Sequence, residues 1–372
     1  MTLAYYTNVI SPHQIPLAKE IVRRVGAENY RYIYRYELSD ERRMLGWDER
    51  NLPSWCRHGE DDSPELMDVD LLCTGGLRPL DVIARRIAAG KPTYYVTERW
   101  FKPLRRCGIP IPGKCRMLVP RYRRMAKRMV EYMNNPLCRC LAIGPWAKQD
   151  MVSIGVRPDH IYHWGYYVEP SANSPTLQLS HSHSHSNSHS HSNSHSHSNS
   201  NSPTSPLKLL WVGRMLALKR VDTIIKAVRH LGGEGVKLTL VGGGEERRKL
   251  ERMARGLPVE FVDSKPIAEI RDVMREHDVY VLASDANEGW GAVVNEALEE
   301  RMKVLGTFEA GASAALLDEE DLFHSGDWRR LAGLIARCAR EKREGRLRGQ
   351  GIGDETPKAA AKRLLEELCW RC

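Results

Sequence analysis

Glu288 and Glu296 lie eight positions apart in the stretch SDANEGWGAVVNEALEE, with Gly289, Trp290 and Gly291 directly after the first of them. A carboxylate in such a setting can accept two hydrogen bonds from a vicinal diol, a ribose or another sugar. The glycines permit a tight turn whose N–H groups can point at a phosphate where the next helix opens. The same pattern also fits two solvated acids, one of them near a helix N-terminus where negative charge is welcome. Upstream, WVGRMLALKR ends an apolar run at Gly213 and then offers Arg214 and Lys219, five positions apart, with Lys219 expected to open a helix. Two cations beside a helix start suit a diphosphate. Between these stretches, VGGGEE is a strand–glycine–helix turn centred on Gly243, where a phosphate or a base edge could approach. It is not a full G-x-G-x-x-G fingerprint, because Arg247 takes the place of the last glycine. VDSKP, with Asp263 and Ser264, ends another apolar run.

Groups so far apart in the chain need a scaffold that gathers them. Short apolar runs (LAYYTNV, YRYIYRY, VDLLCTG, TYYVTE, CLAIG, then KLLWVGR, VKLTLVG, VEFVD, VYVLA, KVLG) alternate with amphipathic segments throughout. That alternation predicts parallel sheets with helices on both faces. Two such halves, 1–170 and 207–355, flank 171–206, a Ser/His/Asn stretch with HSHSNS three times in tandem. It has nothing to bury, so a disordered linker is expected, with an end-to-end distance of roughly 30–35 Å. Ligands of open parallel sheets bind beyond the carboxyl ends of the strands, which places the site in the cleft between the lobes. Residues 356–372 read as a helix whose partner is either another chain or, as the family resemblance given below implies, the first lobe.

The 372 residues, 42% apolar, are ample for two cores. No run approaches the about 18 consecutive apolar residues of a membrane span, and the first 20 residues lack the basic and apolar regions of a secretory signal. The nine cysteines have neither framework nor zinc spacing, so ordinary thiols are expected and no metal site is assigned. Seven histidines between His181 and His197 could hold zinc or nickel weakly, or serve only as spacer. Of the net charge of +9, the segment 99–139 carries +11 and the rest −2. Such a patch suits a polyanionic partner. Its PRYRRMAKRMVEYM stretch reads as a basic amphipathic helix, either docked on anionic lipid headgroups or merely solvated. GIPIPGKC has the outer frame of a phosphate loop but lacks the final hydroxyl residue, and its prolines remove N–H donors. DVD at 68–70 reads more simply as polar strand entry than as a metal pair.

Taken in order, strand–Gly–Arg-x4-Lys, the glycine turn, DVYVLAS, and Glu-x7-Glu enclosing Gly-x-Gly resemble family 4 glycosyltransferases of the GT-B class. The resemblance covers most of 207–340. It implies two Rossmann-like lobes, a nucleotide-sugar donor (UDP- or GDP-linked) on the second lobe, an acceptor on the first, retention of anomeric configuration, and no metal or other cofactor. By position, Arg214 and Lys219 would hold the diphosphate and stabilise the leaving group, with Glu288 completing the catalytic set. Glu296 would bind the ribose. Gly213, Gly243, Gly289, Trp290 and Gly291 would line the donor site, with Asp263 and Ser264 near the base.

In the first lobe, YYTNVISPHQIPLAKEI, YYVTERWFK and HWGYYVEP resemble a bacterial subgroup with polysaccharide or glycolipid assembly roles. That would place the protein in the cytoplasm, peripheral to the plasma membrane, acting on a saccharide or lipid-linked acceptor. The chain departs from the commoner pattern in having Ser11-Pro12-His13-Gln14 where many members carry paired glycines, and Thr97-Glu98-Arg99 where many carry a histidine. His13, Glu98 and Arg99 are therefore the candidates for the sugar and acceptor side. The rival for His13 is a histidine at a helix start with no chemistry; for Glu98 it is a salt bridge to Arg99. An epimerase or phosphorylase could share the fold. A nucleic-acid-binding protein would explain only the basic patch, and a metal carrier only the histidines.

Overall fold

A computed structural model describes residues 1–44, 47, 52–75, 80–106, 109–171, 205–233 and 235–368. The histidine-rich tract 181–197, nearly all of 171–206, and 369–372 lie outside the described residues.

The apolar runs form two parallel sheets. The first contains β1 (Leu3–Thr7), β2 (Tyr30–Tyr34), β3 (Cys56–His58), β4 (Leu71–Gly75) and β5 (Thr93–Thr97). A small antiparallel hairpin, β6 (Leu104–Arg106) and β7 (Ile109–Ile111), interrupts it before β8 (Cys138–Ile143) and β9 (Ile161–Trp164). The second contains β10 (Leu207–Val212), β11 (Val236–Val241), β12 (Val259–Val262), β13 (Val279–Leu282), β14 (Lys303–Thr307) and β15 (Leu322–Phe323). The spatial orders are β3-β2-β1-β4-β5-β8-β9 and β12-β11-β10-β13-β14-β15. Both reverse direction beside their first strand, with Leu3 facing both Tyr30 and Leu71, and Leu209 facing both Leu238 and Val279. These are the switch points at which a parallel sheet leaves a crevice for ligand.

Helices cover the sheets through one apolar face each. Ile15–Val25 buries Pro16, Leu17, Ala18 and Ile21, with proline in its first turn where a missing N–H is harmless. Val221–His230 buries Val221, Ile224, Ile225 and Val228 at helical spacing. The helix expected to open at Lys219 begins two residues later. Lys219 sits in a single 3-10 turn, Ala217–Lys219, and Arg220 turns the chain with φ 46° before the helix starts. The Glu296 helix likewise starts only at Val293, so the Gly-Trp-Gly segment is loop.

The lobes are joined by side chains as well as by the linker. The Trp290 indole is 2% exposed. It fills a slot in the first lobe bounded by Gly144 and Gly165, where a Cβ would lie 3.3 and 3.0 Å from the ring. Its N–H donates to Asn295 Oδ1 at 2.7 Å, and Asn295 Nδ2 donates to the Tyr166 carbonyl at 3.1 Å. The helix Pro357–Lys362 returns to the first lobe. Thr356 caps it, accepting from Ala359 N at 3.2 Å, and Arg24 of Ile15–Val25 donates to the Lys358 carbonyl at 3.2 Å. Ala360, Ala361, Leu364 and Leu368 join the first-lobe core, and the Tyr94 hydroxyl donates to the Leu368 carbonyl.

Two weaker sequence signals resolve as structure. GIPIPGKC contributes β7 and a 3-10 turn, and a Cβ on Gly113 would meet the Phe101 carbonyl oxygen at 2.1 Å. Asp70 accepts from Thr2 N at 2.8 Å while its own N–H donates to Thr2 Oγ1 at 3.0 Å, tying the entries of β1 and β4 together. Cys138 and Cys140 are buried in the sheet, and burial pushes both thiols up to about 12, which makes them unreactive.

Candidate functional site

The loop after β10 and the glycine turn after β11 pack backbone against backbone. Gly213 N donates to the Val241 carbonyl at 3.0 Å and Met215 N to the Gly243 carbonyl at 2.6 Å. A Cβ on Gly242 would lie 2.0 Å from the Gly213 oxygen, and Gly242 has φ 131°. So Gly242 serves loop packing. Gly243 differs, because the nearest atom to a Cβ there is Ser264 Oγ at 4.0 Å. Its outer side is open. A cavity of about 150 Å³ lies here, lined by Gly213, Gly242, Ser264, Ile267 and Glu296 of the second lobe and by His13 of the first. It adjoins a larger one of about 530 Å³ that shares His13 and Glu296. Asp263 stands at the rim, exposed, with its carboxylate accepting from Arg247 Nη1 at 2.6 Å.

Lys219 and Glu288 meet beyond the end of β10. The Lys219 ammonium donates to Glu288 Oε2, and Ser284 Oγ donates to the same oxygen at 2.9 Å. Burial alone would raise the Glu288 carboxyl, but the charge and hydrogen bond of Lys219, with help from Ser284, hold it below its ordinary value. Glu288 is therefore a carboxylate and Lys219 its counterion. Arg214 follows Gly213 on the same loop with its side chain exposed.

Glu296 has the opposite environment. It is 8% exposed, and burial pushes its carboxyl up to about 7, which the nearby Arg271 offsets only in part. The folded protein holds this proton more tightly than the unfolded chain does. Stability contributed by that proton is present at low pH and is lost as pH rises from the ordinary carboxyl range through about 7. Glu296→Gln is thus expected to match the parent in acid and to exceed it in denaturant midpoint above neutrality. Equal midpoints at alkaline pH would show that burial does not raise the Glu296 carboxyl.

On the first lobe, Glu98 faces the second. Its carboxylate accepts from Lys102 Nζ at 2.8 Å and from the Tyr166 hydroxyl at 3.0 Å. The expected rival, a pair with Arg99, does not form: Arg99 Nη1 instead donates to the Ala286 carbonyl at 3.2 Å. Glu98 also lies over Gly289, where an added Cβ would sit 2.1 Å from Oε2. Gly289 is therefore a close-approach glycine. Gly289→Ala is expected to displace Glu98 and to lower activity at the cleft by about tenfold, with fold stability changed by under about 1 kcal/mol because the acid sits at the end of a flexible side chain. Unchanged activity would remove Glu98 from the site. His13 lines the cleft, and burial pushes its imidazolium down to about 4, so the ring is neutral near pH 7 and offers a hydrogen bond rather than a charge.

The structure thus brings Gly213, Ser264, Glu296 and His13 to one cavity, with Gly243 next to Ser264, and Lys219, Glu288, Gly289 and Glu98 to its neighbourhood. Gly291, with φ 93°, makes the turn into the Glu296 helix. Trp290 is different: its indole is spent on the junction between lobes, so its side chain does not face the cleft. Lys102, Tyr166, Ser284 and Arg271 were not anticipated. Lys102 lies four positions after Glu98, a spacing that sequence could have flagged; Tyr166 is 68 positions away and carries no such signal.

Two Rossmann-like lobes whose parallel sheets face one cleft define the GT-B fold. On that fold, residues 193–348 match the family described as Glycosyl transferases group 1. A curated relative, the UDP-N-acetylglucosamine–peptide N-acetylglucosaminyltransferase GtfA subunit of Streptococcus pneumoniae serotype 4, is 28% identical over 105 residues, which is 27% of this chain. The match spans only about a fifth (21%) of that relative's length. Among solved structures, Anabaena HepE in complex with UDP superposes with a TM-score of 0.62 at 15% identity, covering 98% of this chain and 95% of its own. The lipopolysaccharide outer core galactosyltransferase WaaB in its apo form gives 0.64 at 13%, covering 99% of both chains. An Escherichia coli trehalose-6-phosphate structure bound with UDP-2-fluoro glucose gives 0.64 at 10%, also covering 99% of both.

Proposed function

We propose that the protein is a retaining, metal-independent glycosyltransferase of the family 4 type. It moves a hexosyl or N-acetylhexosaminyl group from a UDP- or GDP-linked donor to a saccharide or lipid-linked acceptor in bacterial surface-glycan assembly. The observation that carries this reading is the Lys219–Glu288 pair beside the cavity that Gly213, Ser264 and Glu296 share with His13. The donor's base and ribose lie between Ser264 and Glu296, and its diphosphate lies along the loop 213–219. As the glycosidic bond breaks, negative charge builds on the β-phosphate. Lys219 and Arg214 supply fixed positive charge there, the role a metal fills elsewhere. The acceptor oxygen bonds to the anomeric carbon on the face the phosphate leaves, and its proton passes to the departing phosphate oxygen. Glu288, held ionised, keeps Lys219 in place before the donor arrives, and neutral His13 hydrogen-bonds the sugar from the other lobe.

A thermal-shift panel of nucleotides and nucleotide sugars tests this directly. Stabilisation by UDP or GDP sugars that survives EDTA and disappears in Glu296→Ala is expected. Stabilisation by phosphate and a free sugar, with none by any nucleotide, would point to a phosphorylase instead.

The protein works at the inner face of the plasma membrane in this reading. Among the described residues no helix is long and apolar enough to cross a membrane. The helix Pro120–Met133 buries Ala126, Met129 and Met133 and leaves Arg121, Arg123, Arg124 and Lys127 exposed. Just before it, Leu118 and Val119 are 81% and 47% exposed. Two bare aliphatic side chains beside four cations suit an anionic bilayer surface. Flotation with anionic vesicles is expected for the parent protein and is expected to be lost in Leu118→Ser with Arg123→Ser; equal flotation with neutral vesicles would sink the docking.

A further inference from the structure

The first lobe holds another cavity, of about 440 Å³, at the carboxyl ends of β1, β4 and β5, where Thr7, Gly75 and Thr97 line it. Its charged lining is Arg42, Glu98, Arg99 and Lys102. Glu98 and Lys102 neutralise one another at 2.8 Å. Arg42 and Arg99 have no carboxylate partner among the described residues. The Arg42 guanidinium lies over the Trp47 ring, 5.1 Å from its centroid, which leaves the N–H edge available. Among the described residues, Arg99 Nη1 donates to the Ala286 carbonyl and its Nε is buried with no acceptor. The nearest acids are committed elsewhere. Asp150 accepts from the N–H groups of Trp100 and Phe101 at 2.7 and 2.9 Å, and Glu309 accepts from His324 and Ser325 at 3.0 Å. Burial accordingly lowers the Arg99 guanidinium from its ordinary range, with Asp150 and Glu309 opposing. A buried charged donor left without an acceptor is costly, and two guanidinium groups in one cavity match the geometry of a phosphate.

We infer that this cavity receives a phosphate group of the acceptor, held by Arg99 and Arg42. The inference rests on the glycosyltransferase reading, since only a transfer enzyme needs an acceptor. It also ties the two substrates together. Arg99 touches Ala286, two positions before Glu288, so the arginine that grips the phosphate also braces the donor loop.

Calorimetric titration of inorganic phosphate into protein saturated with UDP isolates this cavity, because the nucleotide already occupies the loop 213–219. Phosphate is expected to bind, and Arg99→Met is expected to weaken it by about tenfold, the scale of losing one charge-assisted contact. Arg42→Met, on a short exposed segment, is expected to weaken it by about threefold with UDP affinity unchanged. Phosphate binding that is absent, or indifferent to both substitutions, overturns the inference while UDP binding persists. Absence of binding of both UDP and GDP by the parent protein overturns the glycosyltransferase reading, and the inference with it. Competition then names the source of the phosphate. Displacement by glucose 6-phosphate identifies a soluble sugar phosphate, and displacement by phosphatidylcholine vesicles containing phosphatidic acid identifies a lipid headgroup. Displacement by neither overturns the acceptor assignment.

Discussion

Lys219→Ala is expected to lower turnover by about 10²–10³-fold, the loss seen when one fixed donor to a developing oxyanion is removed, while the protein stays folded. The substitution removes the ammonium that pairs with Glu288 at the end of the second sheet's first strand. Without it, Glu288 keeps only the hydrogen bond from Ser284 at 2.9 Å, and burial again favours its protonated form. Loss of the ammonium removes positive charge from the place where the anionic leaving group forms, and protonation of Glu288 offsets only part of it. Donor affinity should fall less than turnover, because the ribose and base contacts at Glu296 and Ser264 are untouched. Equal losses in donor binding and turnover would make Lys219 a binding residue with no special role in the transition state. Near-parental turnover in Lys219→Ala, and likewise in Arg214→Ala, would remove this loop from the chemistry.

The largest effect on stability is expected at Trp290. Its indole fills the slot between Gly144 and Gly165, and its N–H is paired with Asn295. Trp290→Ala empties that slot and strands a buried amide oxygen, for a loss of about 3–5 kcal/mol. Trp290→Phe keeps most of the volume and loses the hydrogen bond, for about 1–3 kcal/mol. Two-lobed proteins need not unfold in one step, so the readout is the denaturation of each lobe followed by separate probes. Separation of the two transitions in Trp290→Ala, with coincidence in the parent, is the expected signature of a lobe junction. A shift under about 1 kcal/mol would mean that the indole does not hold the lobes together.

Much of the scaffold was legible because its signals are local. Apolar runs of four to six residues alternating with one-sided helices specify buried parallel strands and their covers. The glycine runs marked loops, since only glycine allows the contact that Gly242 makes with the Gly213 carbonyl. The carboxylates Glu288 and Glu296 were legible as a pair, but their natures were not. One is held ionised by Lys219, 69 positions away, and the other is raised to about 7 by burial. Nothing in the local spacing distinguishes them. Trp290 was misplaced for the same reason. It sits in a polar, glycine-flanked loop, and only the slot in the other lobe shows that its ring is buried.

The sequence by itself determined the two α/β halves, the glycine turns, and which charged residues stand at strand ends, because strand and helix periods and glycine's backbone freedom act within a few residues. The tertiary structure alone decided which of those charges meet. Strand order within each sheet places residues from distant loops beside one switch point. Docking of one lobe on the other then brings Glu98 over Gly289, closes Trp290 into its slot, and leaves the Arg99 Nε buried without an acceptor. Those relations depend on packing between segments far apart in the chain, and the spacing of residues along it carries no record of them.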